Sequence, residues 1–302
     1  MRSPTAVSLR ALWEFTRPHT IIGTVAAVCA LYVLATHAAQ RQDIALWALV
    51  LAASLAVNIY VVGLNQLTDV EIDRITKPYL PLAAGSLRKA SAVVIVAGAG
   101  ATALVIAGLQ GRYLFAAIAI VFLIGTGYSL PPVRLKRFPF LAAASIVTAR
   151  AIVANVGVYM AYSAALSGRP QLPAYVLLMV VFMTGFGVVI AVMKDIPDAD
   201  GDRRHSIATF VLSLGPGRTL HLCRLILAAF YAGVITAGLV GVPGVNRWVL
   251  VTTHALALAA MWFTGSGLDA EDNAAVRRYY MVIWKLFYFE FAAFPLAVVL
   301  TA

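Results

Sequence analysis

Two short segments hold most of the acidic chemistry of this chain. The first is N-Q-L-T-D-V-E-I-D-R, from Asn65 to Arg74, and the second is K-D-I-P-D-A-D-G-D-R-R, from Lys194 to Arg204. The chain has 13 acidic side chains in 302 residues, and seven of them (Asp69, Glu71, Asp73, Asp195, Asp198, Asp200 and Asp202) fall in these two stretches. Asn65, Asp69 and Asp73 are spaced i, i+4, i+8, which on a helix stacks them on one face, about a turn apart. Asp198 and Asp202 repeat the i, i+4 step, with Asp195 three residues ahead of Asp198. Pro197 and Gly201 argue against a regular helix there. Carboxylates and an amide carbonyl are hard oxygen ligands. Two such clusters brought face to face suit Mg²⁺, which bridges a few carboxylates to substrate phosphates. The residues predicted to hold metal are Asn65, Asp69, Asp73, Asp195, Asp198 and Asp202. Glu71 and Asp200 fall off the presumed ligand faces.

The elements that must position these residues are read from the apolar runs. With 62% of residues apolar and 12% charged, the chain lies far from the soluble average of about 25% charged. A membrane-crossing helix needs about 20 apolar residues, and roughly nine such runs are present. They centre on Thr20–Thr36, Ile44–Leu64, Ala90–Leu109, Tyr113–Tyr128, Phe140–Tyr162, Ala174–Met193, Leu220–Val240, Trp248–Phe263 and Tyr280–Leu300. No helix-length repeat, low-complexity tract or cleavable signal is evident. The expectation is one polytopic all-α membrane domain over residues 1–302. Each acidic segment ends an apolar run, and a carboxylate at a membrane border is costly unless something binds it.

A net charge of +10 invites a nucleic-acid reading, but its distribution follows the bilayer. Basic residues alternate by loop: Arg2, Arg10 and Arg17 before the first run, then Arg74, Lys77, Arg88 and Lys89, then Arg134, Lys136 and Arg137, then Lys194, Arg203, Arg204, Arg218 and Arg224, then Arg277 and Arg278. The opposite loops hold one each: Arg41, Arg112, Arg169 and Arg247. The positive-inside rule then predicts a cytoplasmic N-terminus, both acidic segments cytoplasmic and the C-terminus outside. No nucleic-acid partner is expected. Arg74, Lys77, Lys136, Arg137, Lys194 and Arg203 lie near enough to the acidic segments to serve as phosphate partners, although each alone could be a topology signal or a headgroup contact. Cys29 and Cys223 show no metal spacing and read as small apolar-compatible side chains.

A few polar residues fall inside the runs. Arg150 suits either an acceptor carboxylate or a structural charge pair. Lys285 and Glu290, five apart, are poor helix neighbours and read as structural. Of the five histidines only His19 and His205 lie in motif regions. Asp269, Glu271 and Asp272 read as a loop cluster balancing Arg277 and Arg278, or as part of a lid.

These segments resemble the UbiA-type intramembrane prenyltransferases, and within them the homogentisate branch of aromatic prenyltransferases. The likeness runs from Asn65 to Gly85, including Lys77–Pro78–Tyr79–Leu80–Pro81–Leu82. It also covers Lys194 to Asp202 and on to Thr209–Phe210, Arg17–Pro18–His19–Thr20, and Tyr128–Ser129 with Pro131–Pro132 and Lys136–Arg137. Gln66 stands where other branches often have Asp, and His205–Ser206 depart from the branch pattern. The resemblance implies nine helices around a central cavity and Mg²⁺-dependent transfer of a prenyl group from an isoprenoid diphosphate to an aromatic phenol. It adds Tyr128 to the substrate-binding set. For homogentisate it also implies loss of the carboxylate as CO₂.

Two other activities use similar features. A UbiA-type terpene cyclase would ionise the same diphosphate and turn the cation on its own chain. A secondary transporter would place its binding groups near the bilayer midplane in repeated halves, whereas here the acids cluster at one border.

Overall fold

The computed structural model describes residues 8–197, 199 and 209–301. Thirteen helices are numbered here in chain order. They are α1 (Leu9–Phe15), α2 (Pro18–Ala39), α3 (Ile44–Thr68), α4 (Val70–Thr76), α5 (Lys89–Gln110), α6 (Arg112–Ser129), α7 (Pro139–Ile146), α8 (Ala154–Ser167), α9 (Ala174–Met193), α10 (Phe210–Leu214), α11 (Pro216–Val240), α12 (Arg247–Thr264) and α13 (Asn273–Val299). A π-helical turn, Val147–Val153, joins α7 to α8 in one continuous rod, and a short 3₁₀ turn, Leu135–Arg137, precedes α7. The described residues form no strands.

Sequence punctuation sets the helix ends. Proline opens α2, α7 and α11, where its missing N–H costs nothing. Asp43, Thr209, Asn246 and Asp272 cap α3, α10, α12 and α13 through their side chains, satisfying amides the helix leaves unpaired. Gly168, at φ +70°, ends α8 in the left-handed region.

Eight of these rods are long and apolar enough to cross a membrane, with Pro139–Ser167 counted as one. The ninth expected run forms α12, a helix of 18 residues. Its Arg247, His254 and threonines leave it less apolar than the other eight. The helices close into a ring. Helix α2 packs on α3, α8 and α13; α3 on α5 and α6; α6 on α8; the π turn on α9; α9 on α11 and α13; α11 on α12; and α12 on α13. Helix α9 is the most enclosed, with Val176, Met179, Met183 and Phe186 fully buried. Close crossings depend on small residues, as in membranes generally. A Cβ added to Gly157 would lie 2.2 Å from that of Ala117 on α6. Large apolar side chains such as Val94, Val105, Leu109, Leu123 and Leu239 point outward. In water that surface would be a liability, but against lipid it is the expected exterior.

A chambered site at one end of the bundle

The start of α2, the ends of α3, α6 and α9, the loop before α7 and the start of α13 all meet at one end of the ring. Two connected chambers open there. The outer one, about 740 Å³, is walled by Glu14, Asn65, Asp69, Asp73, Lys77, Lys136, Asp195 and Arg277 among others. The inner one, about 280 Å³, runs between the helices and is lined mainly by apolar side chains from α2, α3, α6, the π turn and α13.

The first acidic segment is not one continuous helix. Asp69, at φ −114° and ψ 14°, ends α3 and begins α4. The bond from Asp73 N–H to the Asp69 carbonyl survives at 2.8 Å, so the helical rise is nearly kept. Asn65, Asp69 and Asp73 therefore still line the same chamber. Asn65 donates to Asp69 Oδ2 at 3.0 Å. Gln66, fully buried, donates to the Phe15 carbonyl at 2.7 Å and ties α1 to this helix end. Asp73 is buried.

Asp69 carries its charge among cations. Lys136 Nζ lies 2.5 Å from Asp69 Oδ1 and also donates to Thr68 Oγ1 at 3.1 Å, and Arg134 reaches the same carboxylate oxygen at 3.3 Å. Burial pushes the Lys136 ammonium below its ordinary range, opposed by the adjacent Asp69 charge. Arg134 has φ +41°, a conformation uncommon for a residue with a side chain. On the other wall Lys194 lies 3.0 Å from Asp195.

Of the expected phosphate partners, Lys77, Lys136 and Lys194 line the outer chamber, as does Tyr128. Arg74 turns outward to Glu71, with contacts of 2.9 and 3.0 Å. Arg137 sits over the Phe138 ring and donates to the Pro132 carbonyl. Neither lines a chamber. Asp198, Asp202, Arg203 and His205 lie outside the described residues. Among the described residues no group of three acidic, His or Cys side chains is gathered tightly enough to hold a metal by itself. The donor set on the first wall is nevertheless all oxygen, which suits Mg²⁺ rather than a softer ion.

Arg150 lines the inner chamber, its guanidinium 5.2 Å from the centre of the Trp284 ring. Lys285 faces outward, and Glu290 pairs elsewhere. Glu290 accepts from Tyr231 at 2.7 Å and sits 3.1 Å from His254 Nε2, all within the packed interior. Asp272 caps α13 and Asp269 accepts from the Glu271 amide, so this cluster shapes the loop. Residues 280, 284 and 288 (Tyr280, Trp284 and Tyr288) form an aromatic stripe on α13 that sequence reasoning passed over. Their i, i+4, i+8 spacing was the available signal. Tyr280 and Trp284 line the inner chamber, and Tyr288 fixes the start of α2 by donating to the His19 carbonyl at 2.7 Å.

Residues 24–286 match the UbiA prenyltransferase family. The chain belongs to that family. It is similar to the homogentisate phytyltransferase of Synechocystis sp., with 38% identity over 297 residues and 96% of each chain covered. It also resembles homogentisate phytyltransferase 1 of Arabidopsis thaliana, with 37% identity over 95% of this chain and 75% of that one. Homogentisate solanesyltransferase of the same plant is 36% identical over 94% of this chain and 76% of that one. Among solved structures, an apo UbiA homolog from Aeropyrum pernix K1 superposes with a TM-score of 0.69 at 20% identity, over 94% of this chain and 98% of that one. A UbiA homolog from Archaeoglobus fulgidus bound to GPP and Mg²⁺ gives 0.63 at 16%, over 94% and 99%. At that identity the likeness is one of fold. The protein is a multi-pass membrane prenyltransferase, and the transporter alternative falls with the family assignment.

Proposed function

We propose that this prenyltransferase acts as a single domain. It moves a prenyl group from an isoprenoid diphosphate to an aromatic phenol, with a homogentisate-like acceptor favoured. The observation that carries this reading is the pair of joined chambers, one lined by carboxylates and cations, the other by apolar and aromatic side chains. The similar homogentisate phytyl- and solanesyltransferases support the choice of acceptor.

Asn65, Asp69, Asp73 and Asp195, with Asp198 and Asp202, are the residues that would hold Mg²⁺. Bound there, the ion would supply positive charge to the leaving diphosphate. Lys77, Lys136 and Lys194 add fixed positive charge around the outer chamber, with Arg134 behind Asp69, where negative charge builds up as the carbon–oxygen bond breaks and its electron pair leaves with the diphosphate. The allylic cation that remains is shielded from water by the apolar lining of the inner chamber. Trp284, Tyr280 and Phe287 line the space it enters, and a ring face stabilises a cation. The phenol ring then attacks. A ring proton is lost from the carbon that takes the prenyl group. With homogentisate carbon dioxide also leaves, and the side-chain carbon it departs from takes up a proton to become a methyl group.

The acid-lined end of the bundle is placed on the cytoplasmic side, following the basic loops. In a background lacking Cys29 and Cys223, Arg203→Cys should react with an impermeant thiol reagent from the cytoplasmic side only, and Arg169→Cys from the opposite side only. Labelling of both from one side would overturn the topology. Activity is tested by incubating membranes carrying the protein with Mg²⁺, a panel of prenyl diphosphates and a panel of phenols, read by mass spectrometry. A prenylated phenol is expected. A cyclic hydrocarbon formed without any acceptor would replace this reading with a terpene cyclase.

A further inference from the structure

The inner chamber has an unusual charge inventory. Its wall includes Arg17, His19, Arg150 and Lys194, but no Asp or Glu among the described residues. Of these four, Arg150 alone lines only the inner chamber; the other three also face the outer one. Arg150 makes no salt bridge with any described residue; its guanidinium lies over the Trp284 ring, with the Tyr280 and Tyr288 phenols close by. A guanidinium enclosed by helices without a counter-charge is costly.

The backbone there is built to present this side chain. Arg150 is the middle residue of the π turn Val147–Val153. A π turn widens the helix and interrupts its ordinary bonding, and such turns cluster at functional sites. Asn155, itself buried, donates to the Ala151 carbonyl at 2.8 Å and the Arg150 carbonyl at 3.2 Å. It thereby satisfies carbonyls on the turn and pins it. On the opposite wall Trp284 is held edge-on by His19, with ring centres 5.0 Å apart. The guanidinium is thus flanked by a fixed ring on one side and a fixed turn behind.

No described residue supplies a counter-charge, which leaves room for a ligand to do so. A diphosphate is a poor fit, because the carboxylates proposed to hold its metal (Asp69, Asp73 and Asp195) line only the outer chamber, whose wall Arg150 does not join. A carboxylate fits: a guanidinium fork binds it through two parallel hydrogen bonds, a geometry lysine cannot reproduce. We propose that Arg150 is the specificity-determining residue for the acceptor, selecting phenols that bear a carboxylate by binding that group in the inner chamber. This rests on the reading that the protein prenylates a phenol.

The test uses the full-length protein with Arg150→Lys and Arg150→Gln. The Gln variant should raise the homogentisate KM on the order of 100-fold and the Lys variant about tenfold, with the prenyl diphosphate KM nearly unchanged. Hydroxyphenylacetate should compete with homogentisate in the wild type and lose that competition in the Gln variant. Hydroxyphenylacetamide should compete equally weakly in both. The thermal midpoint of the Gln variant should equal or exceed that of the wild type, since an uncompensated charge has been removed. A lowered midpoint with both KM values changed alike would overturn the proposal in favour of a structural charge. Equal competition by acid and amide in the wild type would overturn it too. If the wild type prenylates no phenol, the activity reading fails by itself. Binding of hydroxyphenylacetate, followed by tryptophan fluorescence, then still decides the anion site by whether Arg150→Gln abolishes it.

Discussion

The two chambers share six wall residues, Arg17, His19, Asn65, Tyr128, Lys194 and Tyr280, yet their charges are arranged on different principles. In the outer chamber carboxylates and cations share the wall, and Asp69 is already paired with Lys136 and Arg134. Such a wall can take up a metal and a polyanion together, because each partner finds its opposite charge in place. The inner chamber carries cations with no carboxylate among the described residues. It favours a small anion attached to an otherwise apolar body. On the proposed reading, one opening serves two substrates whose charged groups are sorted by depth.

The largest effect that would break this contrast is at Asp69. Asp69→Ala removes a proposed metal ligand and strands Lys136 and Arg134, so turnover should fall about a thousandfold while the protein still inserts in the membrane. Retained activity in that variant, or in the presence of EDTA, would remove the metal from the outer chamber. Next is Lys136→Met, which leaves Arg134 as the one close cation on Asp69 among the described residues. The prenyl diphosphate KM should rise on the order of 30-fold and the acceptor KM should stay put; steady-state kinetics with each substrate varied in turn checks the split.

A smaller and sharper change introduces an acid where the inner wall has none among the described residues. Ala154 lines that chamber four residues beyond Arg150, so Ala154→Asp offers the guanidinium an internal partner. It should raise the acceptor KM about tenfold, equivalent to about 1.4 kcal/mol, without moving the diphosphate KM. A matching change in both would show that the chambers do not sort their ligands.

The acidic segments were legible because carboxylates are rare in this chain and their spacing matches a helix. The bundle was legible because apolar run length maps directly onto spanning rods. Other features depend on contacts between distant segments. Nothing local announces that the helix breaks at Asp69, since the break is set by how α4 and the loop carrying Arg134 and Lys136 close over it. The π turn at Arg150 is equally silent, because its pinning residue, Asn155, looks like any polar side chain in an apolar run. Glu290, five residues from Lys285 and so a poor helix neighbour of it, reads from sequence only as structural. Its partners are Tyr231 and His254 on two other helices, which only packing reveals.

That buried trio supplies a contrast with both chambers, since it lines neither. His254 Nδ1 lies 2.8 Å from the Leu250 carbonyl and so donates to it, leaving Nε2 to face Glu290 as an acceptor. An amide at this position can donate to that nitrogen and still accept from Tyr231. Glu290→Gln should therefore cost less than about 1 kcal/mol, and Glu290→Ala about 1–3 kcal/mol, read as shifts in thermal midpoint in detergent. The smallest effect is expected at Arg74, which points away from both chambers. Arg74→Ala should change stability by less than about 0.5 kcal/mol and leave both KM values as they were.

The division of charge between the chambers is tested most directly by a cryo-electron microscopy map of the protein with Mg²⁺, an unreactive prenyl thiolodiphosphate and homogentisate. The account predicts diphosphate density beside Asp69 and Lys136, and the acceptor carboxylate about 3 Å from the Arg150 guanidinium. A carboxylate bound in the outer chamber, with Arg150 paired to a protein group, would contradict it.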